Sequence, residues 1–181
     1  MNFFRILILS VFIFTSINAG ERNSQLDNLF DQLKKNNTSI NLKAEMKIWK
    51  IWSTHPSKED LTNLLAAGSN LVNEKKFNKA YDIFSKVILL DPNWSEAWNK
   101  RATILYLMGR YQESQSDIDQ VLKLEKRHFG AWAGQGLVSI ALENYEQAIK
   151  SYKEVEKIYP NLESPKIMIP KIEELIKSKS I

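Results

Sequence analysis

The chain has 181 residues, 25 basic against 21 acidic, a net charge of +4 and no cysteine. The lack of cysteine excludes a disulfide framework, a thiolate metal site and a lipid-modified cysteine, so stability must come from packing. The charge excess is weak, and stretches such as EKKFNKAYD and KSYKEVEK mix both signs, which describes a solvated surface and not a nucleic-acid stripe.

Residues 1–19, MNFFRILILSVFIFTSINA, carry one basic residue, Arg5, an apolar run from Ile6 to Phe14 and a small residue at Ala19. This is the grammar of a secretory signal and predicts cleavage after Ala19, leaving 24 basic and 21 acidic residues. An uncleaved anchor is the alternative. Against it, the apolar stretch is shorter than the ~20 residues of a membrane span. Ser10, Thr15 and Ser16 also interrupt it. Membrane contact is expected only during export or if the signal is retained.

Residues 20–60 read as a helical hairpin. In SQLDNLFDQLKK, Leu26, Phe30 and Leu33 share a helical face, residues 36–39 break the pattern, and Ala44, Ile48, Ile51 and Trp52 recur at helical spacing before Pro56. The hairpin is expected to cap the exposed face of the unit that follows it, as terminal units of repeat arrays must.

Residues 61–162 align with themselves without gaps in three windows, 61–94, 95–128 and 129–162, a period of 34 residues. The fourth position is Leu64, Trp98 and Trp132; the eighth is Gly68, Ala102 and Gly136; the seventeenth is Phe77, Tyr111 and Tyr145. The twentieth is Ala80, Ser114 and Ala148; the twenty-fourth Phe84, Ile118 and Tyr152; the twenty-seventh Val87, Val121 and Val155; the thirty-second Pro92, Lys126 and Pro160. Large side chains recur where an interior must be filled and tiny ones where two helices approach, and proline ends the second helix. A two-helix unit of this length cannot bury its apolar face alone, so copies stack into a solenoid. After Leu162, Pro165 and Pro170 precede a short closing helix starting near Lys171, with Ile172, Leu175 and Ile176 on one side and a frayed tail to residue 181.

The pattern in NLLAAGSNLVNEKKFNKAYDIFSKVILLDP and AWAGQGLVSIALENYEQAIKSYKEVEKIYP resembles the tetratricopeptide repeat. The resemblance covers 61–162. It implies an all-α helix-turn-helix solenoid of three repeats, with the N-terminal hairpin and the 163–181 helix as caps. The middle copy departs from the pattern at Arg101, Ser114 and Lys126. The string AWNKRATILYLMGRYQESQSDIDQVLKLEKRHFGAWAGQG is similar to the central segment of small exported repeat proteins of alphaproteobacteria, which implies a periplasmic location and no particular substrate.

In that family the first helix of each repeat lines a concave surface through its second, fifth, ninth and twelfth positions. Here these are Thr62, Leu65, Ser69 and Val72; Glu96, Asn99, Thr103 and Tyr106; and Gly130, Ala133, Leu137 and Ile140. Such a groove suits an extended or helical peptide, unless the chain's own termini fill it. Family members that bind acidic C-terminal tails place lysine, asparagine and arginine on these helices. Leu65, Ser69, Ala133 and Gly134 stand at those places here, so that mode is not expected.

Arg101 stands where an apolar residue is usual and must be paired or reach water; Asp117 and Asp119 on the facing helix are the expected partners, in a structural ion pair. Trp98 and Trp132 are core by their periodicity, and Trp94, in a turn, is the tryptophan expected to be most exposed. The two histidines, His55 and His128, have no metal-ligand spacing, and no nucleophile elbow or phosphate loop is present. No catalytic, cofactor or metal site is therefore expected. The resulting expectation is a protein- or peptide-binding module exported to the periplasm. The alternatives are an accessory subunit of a periplasmic enzyme docking through its convex face and a signal-anchored scaffold. Self-association stays open.

Overall fold

The computed structural model describes residues 20–179, and the expected signal segment, 1–19, lies outside them. Among the described residues all regular structure is helical: α1 (20–33), α2 (Thr38–Ser53), α3 (Glu59–Asn73), α4 (Phe77–Leu90), α5 (Ser95–Leu107), α6 (Tyr111–Leu124), α7 (Phe129–Ala141), α8 (Tyr145–Ile158) and α9 (Glu163–Lys179). The pairs α3/α4, α5/α6 and α7/α8 are the three repeats and stack in chain order. No described helix is long and apolar enough to cross a membrane.

The repeat offsets translate directly into packing. A Cβ on Gly68 would lie 2.5 Å from Cε1 of Phe84, and one on Gly136 would lie 2.6 Å from Cε2 of Tyr152. The middle repeat pairs Ala102 with the smaller Ile118, so the sum of the two sizes is held where their individual values are not. Each turn between paired helices puts its middle residue in the left-handed region: Lys75 at φ 58°, Gly109 at φ 74° and Glu143 at φ 57°. The flanking amides close back onto the first helix, Lys76 N–H to Leu71 C=O and Arg110 N–H to Leu105 C=O at 2.8 Å each, and Asn144 N–H to Ser139 C=O at 2.7 Å. This is the double closure that satisfies a helix C-terminus.

The hairpin does not cap the first repeat. Its apolar face, Leu26, Leu29, Phe30, Leu33, Ala44, Ile48 and Trp52, is buried together with Phe129, Val155 and Tyr159 of the third repeat. The hairpin lies along the edge of the solenoid made by the links 91–94, 125–128 and 159–162, and it is pinned at each. At the first link, Trp94 Nε1–H donates to the Trp52 carbonyl and the His55 ring bonds Asp91, both at 2.8 Å. At the second, Trp52 stacks on His128 with ring centroids 4.0 Å apart, and Arg127 pairs with Asp27 and lies over Phe30. At the third, Asn161 Nδ2–H donates to the Lys35 carbonyl at 2.8 Å and to Asn41 Oδ1 at 3.1 Å. From Asn41 to Trp52 is about 16 Å of helix, so one helix serves several links. The first repeat has no need of a cap, because the outward residues of α3, Asn63, Ala66, Ala67 and Asn70, are small or polar.

Trp94 is accordingly buried, at 5% exposure, where a turn tryptophan was expected to be exposed. The closing helix begins at Glu163, eight residues before Lys171 and in phase with the 34-residue period, so α9 stands where a fourth first-helix would. Pro165 falls in its first turn, where an amide would have no partner, and Pro170 is accommodated inside it. Ile172 anchors α9 on Ala148 and Tyr152.

Candidate functional site

The concave residues expected to form one groove divide into several groups. Asn99, Thr103 and Tyr106 of α5 and Gly130 and Leu137 of α7 meet around a cleft of about 70 Å³, whose other walls are Ala102, Ser114, Ile118, Ala131, Gly134 and Val138. Leu65 is not a groove residue: at 2% exposure it belongs to the core of the first repeat with Phe84 and Ile104. Thr62 Oγ1 accepts the His55 amide at 2.9 Å and so serves the junction with the hairpin. The Ser69 hydroxyl is turned back to the Leu65 carbonyl at 3.0 Å, and Val72 packs on the first-repeat core. Ala133 packs against the hairpin cluster and the α9 cluster, and Ile140 against the latter.

Glu96 is also not available to a partner. Its side chain is fully buried, with Oε2 accepting the His128 Nε2–H and the Asn99 Nδ2–H at 3.1 Å each, and Lys100 Nζ 3.2 Å from Oε1. Burial pushes this carboxyl up, while the hydrogen bond from His128 and the nearby Lys100 charge push it down; the net position is below the ordinary 4.5. The hairpin completes the enclosure, since Trp52 covers the His128 ring and Trp49 sits edge-on to it at 5.6 Å.

Both histidines have their tautomers set by their partners. His55 Nδ1 accepts the Ser57 and Lys58 amides at 3.2 and 2.9 Å, which leaves Nε2–H to donate to Asp91. His128 Nδ1 accepts the Ala131 amide at 3.0 Å as the N-cap of α7, and its Nε2–H goes to Glu96. All four ring nitrogens are engaged within the protein. Among the described residues, no group of three or more histidine and carboxylate side chains is placed to hold a metal.

Arg101 makes a two-pronged pair with Asp117, Nε to Oδ2 and NH2 to Oδ1 at 2.8 Å each, donates to the Ser85 hydroxyl at 3.1 Å and lies over the Trp98 ring at 5.0 Å. The Asp117 bonds raise its pKa further above the ordinary guanidinium value against the opposing effect of burial. Asp119 takes no part: two residues along the helix it faces solvent and accepts from Gln115 at 2.8 Å. The third repeat carries an uncharged version of the pair at the same offsets, Ser151 donating to Gln135 Oε1 at 2.9 Å. The sequence reading missed it, although two polar residues at repeat-equivalent core positions were its signal.

The Tetratricopeptide repeat family model matches residues 95–128 and 129–162, the same boundaries as the second and third windows. A TPR repeat-containing protein of Rhizobium etli is 31% identical over 142 residues, covering 78% of this chain and 70% of that protein. Hsp70-Hsp90 organizing protein 3 of Arabidopsis thaliana is 23% identical over 124 residues, 68% of this chain, but the match spans 22% of its length. Among solved structures, the first TPR of Spaghetti (RPAP3) bound to the HSP90 peptide SRMEEVD superposes with a TM-score of 0.63 at 22% identity, over 65% of this chain and 93% of that one. A gap-free 34-residue period, paired helices with complementary core sizes and these similarities together place the chain in the tetratricopeptide-repeat family.

Proposed function

We propose that this chain is a non-catalytic adaptor, exported to the periplasm, that holds a protein or peptide of the cell envelope in its concave groove. Tetratricopeptide repeats are protein-interaction modules, and the similar RPAP3 domain is bound to a peptide. The observation that carries the reading is the cleft between α5 and α7, which the hairpin leaves open although it docks on the adjacent edge. The signal-like residues 1–19 carry the proposed location.

The test is site-specific photo-crosslinking in the native envelope, with the crosslinker at Tyr106 in the groove or at Lys123 on the exposed face of α6. A protein adduct at Tyr106 alone is the expected result. An adduct at Lys123 alone would overturn groove binding in favour of an accessory subunit that docks through its convex side. N-terminal sequencing of the same material checks export: a start at Gly20 supports a released protein, and retention of residues 1–19 would make it an anchored scaffold.

A further inference from the structure

The core glycines of the first helices differ in what they are for. Gly68, Gly136 and Gly130 each stand where a Cβ would collide, with Phe84 at 2.5 Å, Tyr152 at 2.6 Å and Trp49 at 2.6 Å. Gly134 has no such reason: a Cβ there would meet Ile118 Cδ1 at 3.6 Å, an ordinary contact, and nothing else nearer. Glycine inside a helix is a destabilising choice, and at this position its structural effect is to leave the cleft open.

The chemistry of the cleft is uniform. None of the eleven side chains or glycines around it is charged. The nearest cations on α5 are already committed, Lys100 to Glu96 and Arg101 to Asp117. Helix α7 has no charged residue from Phe129 to Ala141. At the floor are Ala102, Ile118 and Val138, and at the lip Leu137 is 37% exposed. Two polar groups lie deep: Ser114, whose hydroxyl is spent on the Ala102 carbonyl at 2.8 Å, and Asn99 at 9% exposure, which donates to Glu96 and accepts no hydrogen bond among the described residues, so its Oδ1 is left to receive an amide. The volume, about 70 Å³, falls between the ~30 Å³ of one water and the ~150 Å³ of a cavity that admits benzene.

We infer that this cleft is the selective pocket of the groove, receiving an uncharged branched aliphatic side chain of a protein partner while Asn99 accepts that partner's backbone amide. The assignment rests on groove binding as proposed above and specifies its ligand: a leucine- or valine-bearing segment and not an acidic tail. A carboxylate in this cleft would lose its hydration and meet no cation.

The test is an amide-resolved NMR titration of the purified full chain with N-acetyl-leucine methylamide and its aspartate and lysine counterparts. The leucine probe is expected to shift the amides of Gly134, Gly130 and Ala102, and the charged probes to bind at least tenfold more weakly. Gly134→Leu, which fills the cleft from within, is expected to abolish the response; Gly134→Ala, which keeps the fold unstrained, is expected to weaken it. An equal response to the aspartate probe, or no response of the cleft amides to the leucine probe, overturns the assignment. So does a shift of those amides with protein concentration alone, which would make a second copy the occupant. Retention of the Tyr106 adduct in Gly134→Leu would overturn the pocket while leaving the groove reading in place; absence of that adduct in the parent chain overturns both.

Discussion

Arg101→Met isolates the energetic role of the middle repeat's irregular residue. Methionine keeps the length of the stem but removes both bonds to Asp117, whose side chain is only 5% exposed, and the bond to Ser85. What remains is a buried carboxylate without its cation, a loss of ~3–5 kcal/mol, out of the ~5–15 kcal/mol that keeps a domain folded. For a chain of this size each kcal/mol is about 2–4 °C in melting temperature, so the variant should melt roughly 6–20 °C below the parent. Removing both charges, Arg101→Met with Asp117→Leu, should recover most of that, because a buried pair replaced by packed apolar groups is often nearly neutral. Transplanting the third repeat's version, Arg101→Gln with Asp117→Ser, should also outperform the single variant. Thermal and urea unfolding followed by circular dichroism on the parent, both singles and the doubles gives the coupling directly. If Arg101→Met melted with the parent, or the double variant fell as far as the sum of the singles, the internal-pair account would be wrong.

Gly136→Ala puts a methyl against the Tyr152 ring at 2.6 Å, and overpacking of ~1–3 kcal/mol should outweigh the ~1 kcal/mol gain in helix propensity. Gly134→Ala should instead raise the melting temperature by about 2–4 °C; calorimetry giving the same sign for both would refute the steric distinction. Gly109→Ala meets nothing within 4 Å but must hold φ 74°, so a loss of ~1–2 kcal/mol in urea unfolding is expected from the backbone alone. On the acid side, the Glu96 carboxyl lies below its ordinary 4.5, so its contribution is complete above that pH and lost as pH falls through its lower folded value. Glu96→Gln should therefore flatten the fall of melting temperature below pH 4.5; an unchanged slope would assign the acid limb elsewhere. On the alkaline side, burial first, with the Tyr106 phenol and Glu45 respectively, pushes Tyr152 and Tyr159 up to about 12 from 10.0. Their contribution is complete below pH 10 and lost as pH rises through 12, so in a spectrophotometric titration two of the six tyrosines should ionise near pH 12 and not near 10.0.

The repeat helices were legible because their constraint is local. Phe84 and Gly68, or Tyr152 and Gly136, meet within one helix pair, and the same offsets report the same encounter three times. The hairpin's own helices were equally plain, but its destination was not. Leu26, Phe30, Ile48 and Trp52 declare that a face is buried without saying against what, and the answer lies with Phe129, Val155 and Tyr159, far along the chain. Asn63, Ala66, Ala67 and Asn70 were the available hint that the first repeat asks for no cover. In the groove, position along a helix gives direction but not depth. Asn99, Thr103, Tyr106 and Leu137 converge on a cleft, whereas Leu65 sinks into a core and Glu96 is sealed by a histidine 32 residues later and a tryptophan that the hairpin brings. The end of the middle copy is explained in the same way, because Arg127 and His128 answer Asp27 and Trp52, which lie outside the repeats.

The edge-lying hairpin alters the order in which this molecule can come together. An array in which each unit touches only its neighbours can grow from either end and lose units one at a time. Here a segment made early waits for one made much later: Asn41 finds Asn161 at a separation of 120 residues and Lys35 finds it at 126. Until the third repeat exists, the cluster that buries Ile48, Trp52 and Phe30 lacks Phe129, Val155 and Tyr159, so the hairpin's apolar face is incompletely covered in the nascent chain. Once docked, the hairpin ties the first link to the third, so the ends cannot peel away independently, and the array should unfold as a single cooperative body instead of by successive loss of repeats.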